Sequence, residues 1–147
     1  MQLLRLPRGR ASVPIISVGA QNVGSTRGIV SVRLRSRVDP EIEINVSAFI
    51  LPRVTGRVPA QEVVTTSWHH LANLHLADPD FASPGSIDVI LGADVYGSLL
   101  SGAIKRGPSN APVAQETSFG WIVSGSAHSS TSSCPVSFAL QSINESS

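Results

Sequence analysis

The sequence predicts a mainly β fold carrying one or two short helices, and three observations predict it. Apolar and polar residues alternate through Val30-Ser31-Val32-Arg33-Leu34-Arg35. The same period runs through Ile42, Ile44, Val46, Ala48 and Ile50, set against Glu43, Asn45, Ser47 and Phe49. A period of two marks strands buried on one face. Glycines and prolines break the chain at short intervals, which leaves little room for long helices.

The elements follow in order. Residues 1–14 form a loose lead-in with Pro7, Gly9 and Pro14, and a short strand follows over about Pro14–Val18. Gly19, Gly24 and Gly28 then predict a turn or loop. The two alternating stretches form a hairpin about a turn at Asp39-Pro40. Trp68, Leu71, Leu74 and His75 have helical spacing within 60–75, but Val63, Val64, Thr65 and Thr66 are stiff at χ1 and weaken that helix. Ile87–Leu91 reads as a compact apolar strand with Asp88 inside it, ended by Gly92. Ala93–Leu100 reads as a short helix and Lys105–Pro112 as a polar turn region. Thr117–Val123 reads as one strand with Phe119, Trp121 and Val123 on one side, Gly120 marking a close backbone approach. From Ser124 the composition turns to Ser, Thr, Ala and Gly. The expected organisation is one folded domain over 1–125 and a Ser-rich disordered tail or linker over 126–147.

Bulk composition narrows the classes of function. The 147 residues are 41% hydrophobic and 14% charged, which excludes wholesale disorder. One cysteine, Cys134, rules out an internal disulfide. No secretory signal and no membrane-length apolar run is present, so neither secretion nor a membrane partner is expected. Net charge is +1, yet its distribution is uneven. Nine arginines face three acids up to Arg57, and Lys105 and Arg106 face seven acids after it. These arginines are scattered along alternating strands, and no nucleic-acid partner is expected from them.

Most chemical motifs are missing. The chain has no G-x-S-x-G, P-loop, G-x-G-x-x-G, H-E-x-x-H or C-x-x-C. His69 and His70 would diverge by about 100° on a helix, so with His75 they make a poor shared metal site and no metal is expected. Cys134 and His128 lie in the Ser-rich tail, which lacks the rigid frame a nucleophile needs.

The informative set is ordered along the chain. Leu76-Ala77-Asp78-Pro79-Asp80-Phe81 comes first, then Ile87-Asp88-Val89-Ile90-Leu91-Gly92-Ala93-Asp94, then Gly107-Pro108, Thr117 and Phe119-Gly120-Trp121-Ile122-Val123-Ser124-Gly125. This set resembles the aspartic peptidase domain of BEL/Pao-type retrotransposon polyproteins over about Ile15–Gly125. Ala93 stands where retroviral peptidases often place Arg, so the retrotransposon branch is the better match. The resemblance implies a partial retropepsin-like closed β-barrel. It makes Ile90, Leu91, Gly92, Asp94, Gly120 and Trp121 structural motif residues. It also makes Ser17, Val18, Gly19 and Ala20 part of a substrate flap. A peptide or polyprotein substrate, a homodimer and a cytoplasmic or intracellular retroelement-particle location are implied as well. No cofactor is.

The chemistry of that family needs two carboxylates sharing one proton. Each subunit brings one in Asp-Ser/Thr-Gly, and this sequence contains neither form. Its aspartates are Asp39, Asp78, Asp80, Asp88 and Asp94, and the fourteen residues before Ile15 hold no acid. The chain therefore reads as N-terminally truncated relative to the family, with no catalytic residue of its own. Three functions follow: an inactive part of an aspartic endopeptidase domain, a non-catalytic peptide-binding or structural β module, and a nucleic-acid-associated piece.

Overall fold

The computed structural model describes residues 6–16, 22–127 and 136–140. Among these residues it is mainly β, with one α-helix and one 3-10 turn, His69–Leu71. Strands β1 (Pro14–Ile16) and β2 (Asn22–Ser25) pair antiparallel. So do β3 (Ile29–Arg35) and β4 (Glu43–Phe49), with Val32 opposite Val46. Helix α1 (Ala93–Leu99) leads into β5 (Leu100–Arg106), which begins a four-stranded antiparallel sheet. Its other strands are β6 (Val113–Thr117), β7 (Gly120–Ala127) and β8 (Val136–Leu140), in that spatial order. Among the described residues these sheets stay separate and no barrel closes, so the closed-barrel expectation is corrected to an open arrangement.

The hairpin expected from alternation is present. Leu34 is buried, Ile42, Ile44 and Val46 are half-buried, and the polar set is exposed. Phe49 falls on the polar side and is 52% exposed. Asp39 Oδ1 accepts from the Glu41 N–H at 3.1 Å, the local bond that makes Asp-Pro a turn former.

Six expectations change. Asn22–Ser25, placed in a glycine-rich loop, forms β2. Gly24 there has φ +141°, which suits the irregular β1–β2 register. The helix over 60–75 shrinks to the 3-10 turn, as its β-branched run disfavours. Ile87–Leu91 alternates as a strand should but belongs to no ladder. Leu100–Arg106 is strand, so the turn after it covers only 107–112; β5 is largely exposed and carries no alternation to reveal it. Within the expected tail, β7 reaches Ala127 and β8 pairs with it.

The sixth change matters most. Thr117–Val123 is not one strand but the corner of a hairpin, with Ser118-Phe119 as its loop. Thr117 folds it. Its Oγ1 accepts from the Phe119 N–H at 3.1 Å and donates to the Gly120 carbonyl at 2.7 Å. Gly120 has φ +118°, and a Cβ there would lie 2.8–2.9 Å from Val38 Cγ2, Ala77 N and His75 O. The close approach expected of this glycine is therefore present. Trp121 N–H donates to the His75 carbonyl and Ala77 N–H to the Trp121 carbonyl, both at 2.9 Å.

Two small apolar clusters sit either side of this corner. One gathers Trp68, Leu71, Phe81, Ala114 and Val123, with Trp68 and Phe81 stacked at 6.4 Å between ring centroids. The other gathers Leu34, Leu99 and Phe119. Ser36 ties the hairpin of β3 and β4 to the corner. Its Oγ donates to the Phe119 carbonyl at 3.2 Å and accepts from Val38 and Asp39 N–H at 3.1 and 3.0 Å.

Gly120→Ala adds strain and overpacking together and should cost about 2–4 kcal/mol in urea unfolding. Gly102→Ala, where a Cβ meets nothing within 4 Å, should stay within about 1 kcal/mol of the parent. Ser36→Ala should cost about 1–3 kcal/mol, because Ser36 is buried and its partners would be left unpaired.

Candidate functional site

Residues 86–91 run extended from one apolar cluster to the other. Ile87 packs on the Trp68 cluster and Leu91 on the Leu34 cluster. Gly85 anchors one end through paired bonds with Val58, at 2.8 and 3.1 Å. Gly92 anchors the other, its carbonyl accepting from the Tyr96 N–H at 2.9 Å as α1 begins. Among the described residues no backbone-to-backbone hydrogen bond engages the segment between these anchors. Ile87, Val89 and Leu91 are half-buried, whereas Asp88 and Ile90 face out, Ile90 being 65% exposed.

An apolar groove of about 500 Å³ follows this segment. Val58, Ile87, Val89, Leu91, Tyr96 and Ile122 supply most of its wall, and Thr55 and Ser124 add polar edges. The Tyr96 hydroxyl donates to Gln115 Oε1 at 2.8 Å, which fixes that ring against β6. Such a groove has the size and lining of a ligand cleft. Its main-chain groups and its alternation suit an extended peptide, which can add as a strand and place every second side chain inward.

The motif residues divide between the groove and the corner. Ile90 and Leu91 lie on the groove. Gly92 is the N-cap of α1 and Asp94 stands exposed in its first turn; a Cβ on Gly92 would press 2.6 Å from Asp94 Oδ1. Gly120 and Trp121 form the corner and pair with Leu76-Ala77, so the two most specific elements of the resemblance meet in space. Leu91 and Phe119 share a cluster, which brings the third element beside them. Ser17, Val18, Gly19 and Ala20, and likewise His128 and Cys134, lie outside the described residues. Sequence reasoning missed Val58, Tyr96 and Gln115; none belongs to a motif, and only tertiary packing brings them to the groove or its support.

The titratable groups are dispersed. Asp39, Asp80, Asp88 and Asp94 are exposed. Asp78 is buried and its Oδ1 accepts from the Asp80 N–H at 3.0 Å, a turn-closing role in Asp-Pro-Asp. Among the described residues no group of three or more His, Cys, Asp or Glu could hold a metal. His69 is exposed, while His70 Nε2 donates to the Pro112 carbonyl at 2.8 Å and packs where a Cβ on Gly107 would collide with its ring. No described helix is long and apolar enough to cross a membrane.

The amides of 87–91 should exchange with solvent deuterium orders of magnitude faster than those of Ala77 and Trp121, which are bonded into the corner. Equal protection across the two sets would refute the unladdered placement. No family model matches the chain, and neither curated proteins nor solved structures give a match.

Proposed function

We propose that this chain is part of a retropepsin-like aspartic peptidase domain of BEL/Pao retrotransposon type, and that alone it holds an extended peptide without hydrolysing it. One observation carries the reading. Among the described residues the Ile87–Gly92 motif runs along an apolar groove with its main chain in no ladder, while the other two motif elements pair with each other. Hydrolysis needs an activated water between two carboxylates. The chain has no Asp-Ser/Thr-Gly to bring one, and its aspartates serve turns, the helix start and exposed positions. In this reading the complete domain acts on a polyprotein as a homodimer.

A second reading, a β module that binds peptides and has no catalytic counterpart, is favoured by the same groove. The two differ in whether activity can be restored. Purified chain, incubated with peptide mixtures at about pH 5 where such dyads work, should release no fragments. Pepstatin-sensitive cleavage by the chain alone would contradict both readings. Extended apolar peptides should slow amide exchange at 87–91 and leave the exposed β5 unchanged; no slowing at any concentration removes the peptide-holding role. Cleavage that appears only after fusing an Asp-Thr-Gly segment ahead of the chain selects the peptidase reading.

A further inference from the structure

The groove along 86–91 is uncharged, but the charge around it is ordered along its length. Among the described residues its walls carry no ionised side chain. Charged side chains flank it at successive points instead. Arg57 stands at the Gly85 end, its Nη2 donating to the Pro84 carbonyl at 2.7 Å. Asp88 stands midway on the outward row, because burial alternates through 87–91 and leaves Asp88 and Ile90 facing solvent. Asp94 stands at the Gly92 end, where its Oδ1 lies 2.6 Å from the place a Cβ on Gly92 would take. All three are exposed, and among the described residues none has an ion-pair partner. From Gly85 to Gly92 the order of charge is thus positive, negative, negative. An extended run of that length spans about 23 Å. Screening reaches only about 8 Å at physiological salt, so the two ends act on a bound partner independently.

We propose that the segment held in this groove carries a matching charge pattern: Lys or Arg opposite Asp88 and near Asp94, and Asp or Glu near Arg57. The inference rests on the peptide-holding reading and adds a substrate class to it. Residues directly opposite across paired strands share a face and lie about 5 Å apart. The partner residue over Asp88 therefore points to solvent beside that carboxylate, where a cation is attracted and a second carboxylate repelled. Residues opposite Ile87, Val89 and Leu91 point inward and are apolar. In an antiparallel ladder, the more stable of the two geometries, the acidic residue is the C-terminal one. Each exposed pair is weak alone, so selection requires all three in register and follows the sequence pattern of the partner.

Three labelled peptides titrated with the full chain, read by fluorescence anisotropy, test the assignment. The matched peptide is Lys-Val-Thr-Val-Lys-Val-Thr-Glu. A second exchanges every Lys and Glu, and a third has Thr at all three charged positions. Acetyl and amide ends remove the terminal charges, so only side chains are read. The matched peptide should bind about ten-fold tighter than the exchanged one at low salt, with the neutral one between. The ratio should approach one at about 1 M salt, where screening reaches only about 3 Å. Asp88→Lys alters an exposed side chain, so its urea midpoint should match the parent. It should weaken the matched peptide, and replacing the central Lys of that peptide by Glu should restore binding. Equal affinity for all three peptides overturns the charge pattern while leaving the peptide-holding reading in place. Loss of binding in Asp88→Lys without recovery by the Glu peptide does the same. Failure of every peptide to bind overturns both.

Discussion

The backbone at Gly120 can approach its neighbours only because it carries no side chain, and the rest of the fold is assembled on that approach. Three separate segments converge within two residues of it. Ser118 N–H donates to the Leu99 carbonyl at 2.8 Å, which joins the end of α1. The Phe119 carbonyl accepts from Ser36, which joins the first hairpin. Trp121 bonds to His75 and Ala77, which joins the long irregular stretch. Val38 closes over the vacant Cβ position. Phe119 itself is buried in the Leu34 cluster. Hydrogen bonds of this kind contribute about 1 kcal/mol each when made and cost more when one partner is left buried alone. A shift of the corner would break several at once, so the arrangement is cooperative.

The corner compensates for how little regular structure lies between residues 50 and 92. A run of that length without a ladder is uncommon in a compact domain. Here large side chains hold it instead. Trp68 and Phe81 stack, Leu71 fills beneath them, and Ala114 and Val123 form the sheet side of the same cluster. Aromatic residues of this size bury about 150–250 Å² each, so two of them stabilise a segment that few hydrogen bonds define. Asp78 closes the Asp-Pro-Asp turn that delivers Phe81 to this stack. The turn chemistry and the aromatic payload thus sit three residues apart in sequence and act together.

Much of this was legible from the residues where one physical signal dominated. The hairpin of β3 and β4 follows from alternation alone, and α1 from a glycine followed by a short helix-compatible run. Gly120 was legible as a close approach because a glycine between Phe119 and Trp121 in a strand-like run marks a bulge, a bend or such an approach, and here it makes both the bend and the approach. The errors have equally specific causes. Phe119, Trp121 and Val123 alternate correctly, but alternation cannot reveal that Thr117 turns the chain before Gly120. Ile87–Leu91 alternates as a strand does, and alternation is blind to whether a partner exists. Strand β5 gave no periodic signal since nearly every residue in it is exposed. The groove was only half legible: Ile90 and Leu91 stood in a motif, whereas Val58 and Tyr96 arrive through packing that no local pattern encodes.

The segment 86–91 shows how side chains can fix a strand's shape without using its main chain. A free peptide of that length would sample many conformations, and ordering it costs about 1–2 kcal/mol per residue. In this fold the cost has been met by Ile87 and Leu91, each seated in a different apolar cluster, and by the anchors at Gly85 and Gly92. Among the described residues no other backbone bonds its N–H and C=O groups. An incoming extended peptide would meet a preorganised edge and lose only its own freedom, which is the condition under which strand addition becomes favourable. Asp88 on the solvent side opposes indiscriminate pairing, as a charge on an open edge generally does. In the peptide-holding reading, an edge whose inner positions Ile87, Val89 and Leu91 are apolar and half-buried would favour partners that bring apolar side chains at every second position.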